Sequence, residues 1–228
     1  MIPARLGSQR FKKKNVALLD GRPLISYAIC AAQQSEVFDK IILNSESDFF
    51  APIAQRHGIE FYQRPISLGS SETQSDEVVY DFIQKHPCEV LAWVNSTSPL
   101  QTGSEVADVV RYFQEFHLDS LMTVKNEQVH CLYDQKPINF KIEERFSRTQ
   151  DLKSIQALVY SVMMWRCEAF KRNYEKQGYG LLCGRVGYYP VSHKSSLIIK
   201  TENDFRMAEA YLQSQKNKNL IEYDLGAE

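Results

Sequence analysis

Short apolar segments alternate with amphipathic helical stretches through the first 125 residues of this 228-residue chain. The β-branched runs at 39–43, 89–94 and 120–124 are typical of buried strands. Ser75 and Ser104 each precede apolar residues at helical spacing, so we expect them to cap the intervening helices. Parallel neighbours in a sheet need crossover connections, usually helices. The alternation therefore predicts an α/β fold with a mainly parallel sheet.

The rhythm breaks at residues 126–152, which are polar and contain Pro137 and Asn139. We expect this segment, called the arm below, to protrude from a single domain formed by residues 1–228. Three further strands and two helices are expected after it: strands at 157–165, 185–191 and 197–199, a helix at 167–177 ended by Gly178, and a last helix capped by Thr201. A polar tail at 216–228 should follow the last helix.

A basic loop occupies residues 5–14. Its cations are Arg5, Arg10, Lys12, Lys13 and Lys14. Gly7 permits close approach of a ligand, and Ser8 with the loop amides can receive an anion. Two interpretations follow from this stretch alone, a triphosphate-binding loop and a solvated basic segment.

The overall charge balance narrows the choice of partner. The chain has 27 Lys and Arg against 28 Asp and Glu, a net charge of −1. A general nucleic-acid binder usually carries a basic excess. Locally gathered positive charge suits a small anionic ligand, so no nucleic-acid partner is expected.

Cysteine usage and hydropathy indicate the compartment. Five scattered cysteines with no CxxC pair favour reduced thiols over disulfides or a zinc site. No apolar run approaches the roughly 20 residues of a membrane span, and the charged start is unlike a secretory signal. We expect a cytoplasmic protein with no membrane partner.

Six blocks in a fixed order over residues 2–212 resemble the acylneuraminate cytidylyltransferases, the synthetases of CMP-sialic acid and related sugars. The blocks are Ile2-Pro3-Ala4-Arg5-Leu6-Gly7-Ser8 with Lys14-Asn15, Gly21-Arg22-Pro23-Leu24-Ile25, Arg64-Pro65, Asn95-Ser96-Thr97-Ser98-Pro99-Leu100-Gln101, Arg148 with Gln150, and Thr201-Glu202-Asn203-Asp204-Phe205. The resemblance implies transfer of CMP from CTP to a nonulosonic acid, with release of pyrophosphate. It also implies a three-layer sheet of the nucleotide-diphospho-sugar transferase type, and a homodimer formed through the arm.

The resemblance also assigns roles to residues. It implies that Arg5 and Lys14 are catalytic, and Lys200, at a position where this chain departs from the family, is a third catalytic candidate. It implies nucleotide binding by Ala4, Gly7, Ser8, Arg10, Asn15, Arg64 and Ser75, and sugar binding by Asn95 and Gln150. Five of these side chains have a plainer alternative: a turn for Asn15, an ion pair for Arg64, a helix cap for Ser75, loop hydrogen bonds for Asn95 and plain surface for Gln150.

One departure from the family concerns the metal. Where the family carries two Asp residues that bind Mg²⁺, this chain has Ile198 and Lys200. Neither side chain offers the oxygen ligand that a hard cation requires. We therefore expect no protein-held metal, and Mg²⁺ only as a companion of CTP. Lys200 then either replaces part of the metal, belongs to a site for another sugar or nucleotide, marks a relative that binds without catalysis, or simply ends a buried strand.

Overall fold

The computed structural model describes residues 1–7 and 9–217. Its strands are β1 Ile2–Pro3, β2 Leu18–Leu19, β3 Arg22–Pro23, β4 Ile42–Ser45, β5 Glu60–Gln63, β6 Val90–Val94, β7 Ser120–Glu127, β8 Leu132–Tyr133, β9 Lys136–Pro137, β10 Ile155–Arg166 and β11 Val186–Pro190. Its helices are α1 Leu24–Gln34, α2 Ala51–Arg56, α3 Ser75–Lys85, α4 Gly103–Glu115, α5 Cys167–Gln177 and α6 Glu202–Asn217.

The central sheet runs in the order β5-β4-β1-β6-β10-β7-β11. Its two halves are joined where the Met1 nitrogen donates to the Ala92 carbonyl and the Val94 N–H donates to the Met1 carbonyl. β10 is antiparallel to both of its neighbours, while the remaining strands of this sheet are parallel. The predicted mainly parallel α/β fold is confirmed.

Helices cover both faces of the sheet and give three layers. The helices α1, α2 and α4 pack on one face, and α3 and α5 pack on the other. In β6, Leu91 and Trp93 face one core cluster while Ala92 and Val94 face the other. A strand buried on both faces reads as a continuous apolar run, which is why the sequence alone locates β6.

The last helix packs in a third cluster, on the N-terminal hairpin β2–β3. This cluster joins Leu19 of the hairpin and Leu24 of α1 to Ile199, Phe205 and Ala208. It therefore fixes the segment before α6 against the part of the chain that follows the basic loop.

Several predicted boundaries are wrong. Thr102 caps α4 in place of Ser104, because its side chain accepts from the Glu105 N–H. The residue before α3 is Gln74, which forms a capping box with Glu77, so Ser75 lies inside the helix. Residues 197–199 form no strand, although the Ile199 N–H does donate to the Thr97 carbonyl. The predicted helix at 167–177 matches α5, with Gly178 in the left-handed conformation behind it.

An irregularity in β10 lies beside the end of β6. Pairing with β7 shifts register between Leu158 and Met163, and Tyr160 takes a positive φ of 57°. Such a conformation is uncommon for a bulky residue and signals local strain. It turns the Tyr160 carbonyl toward Asn95, whose side-chain amide donates to it over 3.1 Å.

The arm consists of the short β8–β9 hairpin and irregular segments between β7 and β10. His130 stacks on Phe146 within it, with the ring centroids 3.9 Å apart. None of the helices in the described part of the chain has the length and apolar character needed to cross a bilayer. The predicted tail lies outside the described residues from 218 onward.

Candidate functional site

The candidate site lies at the carboxyl edge of the parallel strands. The basic loop leaves β1 there, and segments leave the neighbouring strands β4, β5 and β6 at the same edge. In open α/β sheets, ligands bind in the crevice outside the carboxyl ends of the strands. Hydrogen bonds tie these segments to one another.

An ion pair between Arg64 and Glu46 joins the segments that surround the site. Arg64 is 4% exposed, and its Nη2 lies 3.0 Å from Oε2 of Glu46. The same guanidinium donates to the carbonyls of Ala4, Asn44 and Leu68 at 2.9, 3.0 and 3.2 Å. A fifth contact reaches the side-chain oxygen of Asn44 at 3.4 Å. All five N–H groups of the guanidinium are therefore used within the protein.

From this arrangement we propose a positioning role for two residues that the resemblance assigns to nucleotide binding. Arg64 has no free donor for a base or ribose, so we assign it to positioning the loops. Ala4 is buried as well, and both of its backbone polar groups are used. Its N–H donates to the Asn44 carbonyl, and its own carbonyl accepts from Arg64. Both residues hold the start of the basic loop in place.

The Glu46 carboxylate also holds the basic loop. The Leu6 N–H donates to Oε1 of Glu46 over 2.8 Å. Further along, the Asn15 side-chain amide donates to the Arg5 carbonyl over 3.2 Å, and Arg5 Nη1 donates to the Ser70 carbonyl over 3.2 Å. The loop is therefore fastened at both ends, although Gly7, Arg10 and Lys12 between them are exposed to solvent.

Lys14 lies among other cations. It is half-buried, and its Nζ donates to the Ile199 carbonyl over 2.7 Å. Burial, followed by the charges of Arg10, Arg5 and Lys200, lowers the pKa of Lys14 to about 8, while Asp204 partly opposes the shift. Positive charges held this close together favour an anion between them.

The nearby carboxylate of Asp204 is committed to a helix cap. Its Oδ2 accepts from the N–H groups of Lys200 and Thr201 and from the Thr201 hydroxyl, at 2.7 to 2.9 Å. Burial alone would raise the pKa of Asp204, but these bonds together lower it. The backbone of Lys200 is thereby fixed, while its side chain stays exposed near Lys14.

The donor set around this segment does not suit a protein-held metal. Ile198 and Lys200 supply no oxygen ligand, and the carboxylates of Asp204 and Glu46 are already bonded within the protein. Among the described residues, no group of three or more His, Cys, Asp or Glu side chains is placed to bind a metal ion.

Two buried amides leave polar atoms without partners. The side-chain oxygen of Asn15 accepts no hydrogen bond although the residue is 4% exposed. Gln101, at the end of the loop after β6, is 6% exposed with neither amide atom bonded. Buried polar atoms are normally paired, so these two positions are suited to a polar ligand.

The other predicted ligand residues fall into two groups. Gly7 and Arg10 are exposed on the basic loop, and a Cβ on Gly7 would meet nothing within 4 Å. Ser8 lies outside the described residues. The Asn95 side chain hydrogen-bonds to Thr97 and to the Tyr160 carbonyl. These are loop hydrogen bonds, the alternative to sugar binding that the sequence offers for Asn95.

Ser75 and Gln150 gain no support as ligand residues. Ser75 is half-buried in the first turn of α3. Gln150 is exposed in the arm, and its carbonyl accepts from the Gln128 side chain over 2.9 Å. Within the described residues, no hydrogen bond joins either side chain to the basic loop.

Comparison with known proteins identifies the family. A family model described as Cytidylyltransferase matches residues 1–224. The chain belongs to the cytidylyltransferase family. Among relatives, the N-acylneuraminate cytidylyltransferase of Streptococcus agalactiae serotype V is 25% identical, over 90% of this chain and 51% of that protein. The CMP-N,N'-diacetyllegionaminic acid synthase of Campylobacter jejuni is 26% identical, over 95% of this chain and 94% of that protein.

These relatives confirm the resemblance to acylneuraminate cytidylyltransferases. The chain spans about half the length, or less, of the N-acylneuraminate cytidylyltransferases that it matches. The solved structure of a CMP:2-keto-3-deoxy-manno-octonic acid synthetase complexed with CTP superposes with a TM-score of 0.71. It is 12% identical and covers 94% of this chain and 97% of that one, which shows the shared fold of this cytidylyltransferase.

Sequence reasoning missed Glu46 and the Ile199 carbonyl. Glu46 directly follows β4, so the rule that functional groups follow parallel strands would have marked it. The Ile199 carbonyl has no comparable signal, since its contact with Lys14 joins positions 185 residues apart.

A first prediction concerns the buried pair. Arg64→Met should lower the free energy of unfolding by about 3–5 kcal/mol, because the Glu46 carboxylate, only 12% exposed, loses its charged partner. The matched control is Arg111→Met, whose exposed pair with Asp108 should be worth only about 0–1 kcal/mol. Urea unfolding measures both, and equal losses in the two variants would contradict the positioning role of Arg64.

A second prediction concerns pH. An anion binds the ammonium form of Lys14, so CTP affinity should lose up to about tenfold per pH unit above pH 8 and be insensitive to this group below it. The folded pKa of Lys14 lies below its ordinary value, so the unfolded chain binds more protons at this group above pH 8. The free energy of unfolding of the ligand-free protein should therefore rise as the pH increases from 8 to about 10. Calorimetric titration with CTP from pH 7 to 9.5 measures the affinity.

The control for this pH profile is the exposed cation Lys12. Lys12→Ala should retain the decline above pH 8, whereas Lys14→Arg, which stays charged, should remove it. A decline that persists in Lys14→Arg would assign the titration to another group.

Proposed function

We propose that this cytidylyltransferase moves CMP from CTP to a nonulosonic acid and releases pyrophosphate. The observation that carries the proposal is the half-buried Lys14 ammonium, held beside Arg5, Arg10 and Lys200 at the carboxyl edge of the sheet. A triphosphate supplies the negative charge that this arrangement lacks. The names of the relatives support CTP and a sialic-acid-like sugar as substrates.

In the proposed reaction, the anomeric hydroxyl oxygen of the sugar acid attacks the α-phosphorus of CTP. The bond from that phosphorus to the bridging oxygen of the β-phosphate breaks, and the hydroxyl proton leaves to solvent. Negative charge grows on the departing pyrophosphate. Arg5, Lys14 and Lys200 stabilise that charge, and the hydrogen bonds that already hold Arg5 and Lys14 mean that these two need little reorganisation.

The base would be read by Asn15. Its amide donates to the Arg5 carbonyl and leaves the side-chain oxygen as a free acceptor. The exocyclic amino group of cytosine is a donor, whereas uracil presents a carbonyl acceptor at that position. A free acceptor at Asn15 therefore supports the choice of CTP over UTP.

Lys200 would replace the role given to metal-bound carboxylates elsewhere in the family. Its backbone is fixed by Asp204 and its charge acts on Lys14. Mg²⁺ entering with CTP, through its phosphates, stays a prediction that does not depend on protein ligands.

Measuring pyrophosphate release tests the proposed activity. With CTP and a panel of nonulosonic acids, the protein should release pyrophosphate, and Lys14→Ala should not. Lys200→Ala should lower the rate by roughly tenfold or more, as expected for loss of one charge that stabilises the transition state. The exposed Lys12→Ala serves as the matched control with a nearly unchanged rate.

Three outcomes would contradict parts of this account. No release above Lys14→Ala with any acid, with and without Mg²⁺, rules out the transfer. CTP binding in the calorimeter without release would indicate a binding relative that has lost catalysis. An unchanged rate in Lys200→Ala would show that Lys200 has no catalytic role and only ends a surface segment.

The arm is proposed to form a homodimer. It exposes several large apolar side chains, with Tyr133 78% and Ile142 73% exposed. Exposed apolar side chains gathered on one protrusion are typical of an interface between chains.

Charging this surface tests the dimer. The double variant Tyr133→Asp and Ile142→Asp should shift the mass by light scattering from that of two chains to that of one, 26.3 kDa. Leu182→Asp, at a side chain 50% exposed outside the arm, should leave the dimer intact. A monomer before substitution would contradict the proposal.

A further inference from the structure

We propose that Cys88 and Cys167 form a reversible disulfide, a redox-sensitive site at the end of the sheet opposite the basic loop. Their Sγ atoms lie 3.2 Å apart, although the residues are 79 positions apart in the chain. Cys88 is in the segment before β6, and Cys167 is the first residue of α5. Both belong to the amino end of β6, far from the carboxyl-edge loops.

Backbone pairing fixes the two cysteines beside each other. β10, which leads into Cys167, pairs antiparallel with β6, with Arg166 opposite Val90. The pairing continues one step further, since the Cys167 N–H donates to the Glu89 carbonyl over 2.9 Å. The pairing therefore places Cys167 opposite Glu89, the neighbour of Cys88, so the backbone holds the two cysteine residues close together.

The two thiols differ in access and acidity. Cys88 is exposed, whereas Cys167 is 1% exposed. A hydrogen bond from the Cys167 thiol, assisted by the Lys171 ammonium, lowers the pKa of Cys88 to about 7 against the opposing effect of burial. The same contact and burial raise the pKa of Cys167. This asymmetry makes Cys88 the attacking thiol and Cys167 the resolving one.

The proposed oxidant is a low-molecular-weight disulfide such as oxidised glutathione. The Cys88 thiolate attacks one sulfur of that disulfide, forms a mixed disulfide and expels the other half as a thiolate. Cys167 then loses its proton to solvent and attacks the Cys88 sulfur, expelling the second thiolate. Two protein thiols are oxidised by two electrons, and one small disulfide is reduced to two thiols.

The bond would fasten α5 to β6 without touching the candidate site. Closing a loop of this length constrains the unfolded chain, so the oxidised protein should unfold roughly 5–15 °C higher than the reduced protein. CTP affinity should be the same in both forms. The inference is therefore independent of the proposed transfer activity.

Equilibration in glutathione buffers followed by alkylation and tryptic mapping tests the site. Cleavage after Lys85, Arg111, Arg166 and Lys171 places Cys88 in peptide 86–111 and Cys167 in peptide 167–171. These two peptides should appear crosslinked in oxidising buffer and separate again in reducing buffer. Cys167→Ser should instead accumulate a glutathione adduct on Cys88, and Cys88→Ser should form neither product.

A double variant, Cys30→Ser with Cys131→Ser, is the matched control and should retain the crosslink. The proposal is overturned if wild-type protein carries glutathione on Cys88 without resolving it, or stays fully reduced in oxidising buffer. A crosslink that forms only in urea would also overturn it, because the pair would then be brought together by unfolding.

Discussion

The buried contact between Arg64 and Glu46 is the interaction on which the candidate site depends. One guanidinium and one carboxylate together hold the end of β1, the end of β4, the start of the basic loop and the segment after β5. Removing two charges from water is costly, and the cost is offset only when the remaining hydrogen-bonding groups are satisfied. All N–H donors of the Arg64 guanidinium are hydrogen-bonded here, so the pair can hold the four segments in one arrangement.

The segments held by Arg64 and Glu46 include the basic loop, which is why its cations can stay close together without an equal number of carboxylates beside them. Repulsion from Arg10 and Arg5 and burial act together on Lys14, as its lowered pKa records. A flexible loop would relax by moving these charges apart into solvent. Because the loop is tied at Leu6 and at Asn15, the repulsion persists until an anion enters. The site is therefore organised before its ligand binds, at some expense to the stability of the free protein.

The sequence predicts those parts that depend on local pattern. The helix at 167–177 is found because a regular amphipathic run ends at Gly178, and β6 because both of its faces are buried. The apolar run at 197–199 misleads, since Ile199 joins the α6 cluster and a loop contact and pairs with no strand.

Long-range choices of partner were beyond sequence reasoning. An Arg after a strand is equally compatible with a ligand contact and with a buried pair, and the choice is made by Glu46, 18 residues earlier. The resemblance in residues 2–15 nevertheless located the basic loop.

A crystal structure of the protein with CTP is the decisive measurement for this site. We expect the triphosphate within hydrogen-bonding distance of Lys14 and Lys200, the cytosine amino group on Asn15, and Arg64 still bonded to Glu46. A triphosphate bound elsewhere, or Arg64 turned from Glu46 onto the nucleotide, would contradict this expectation.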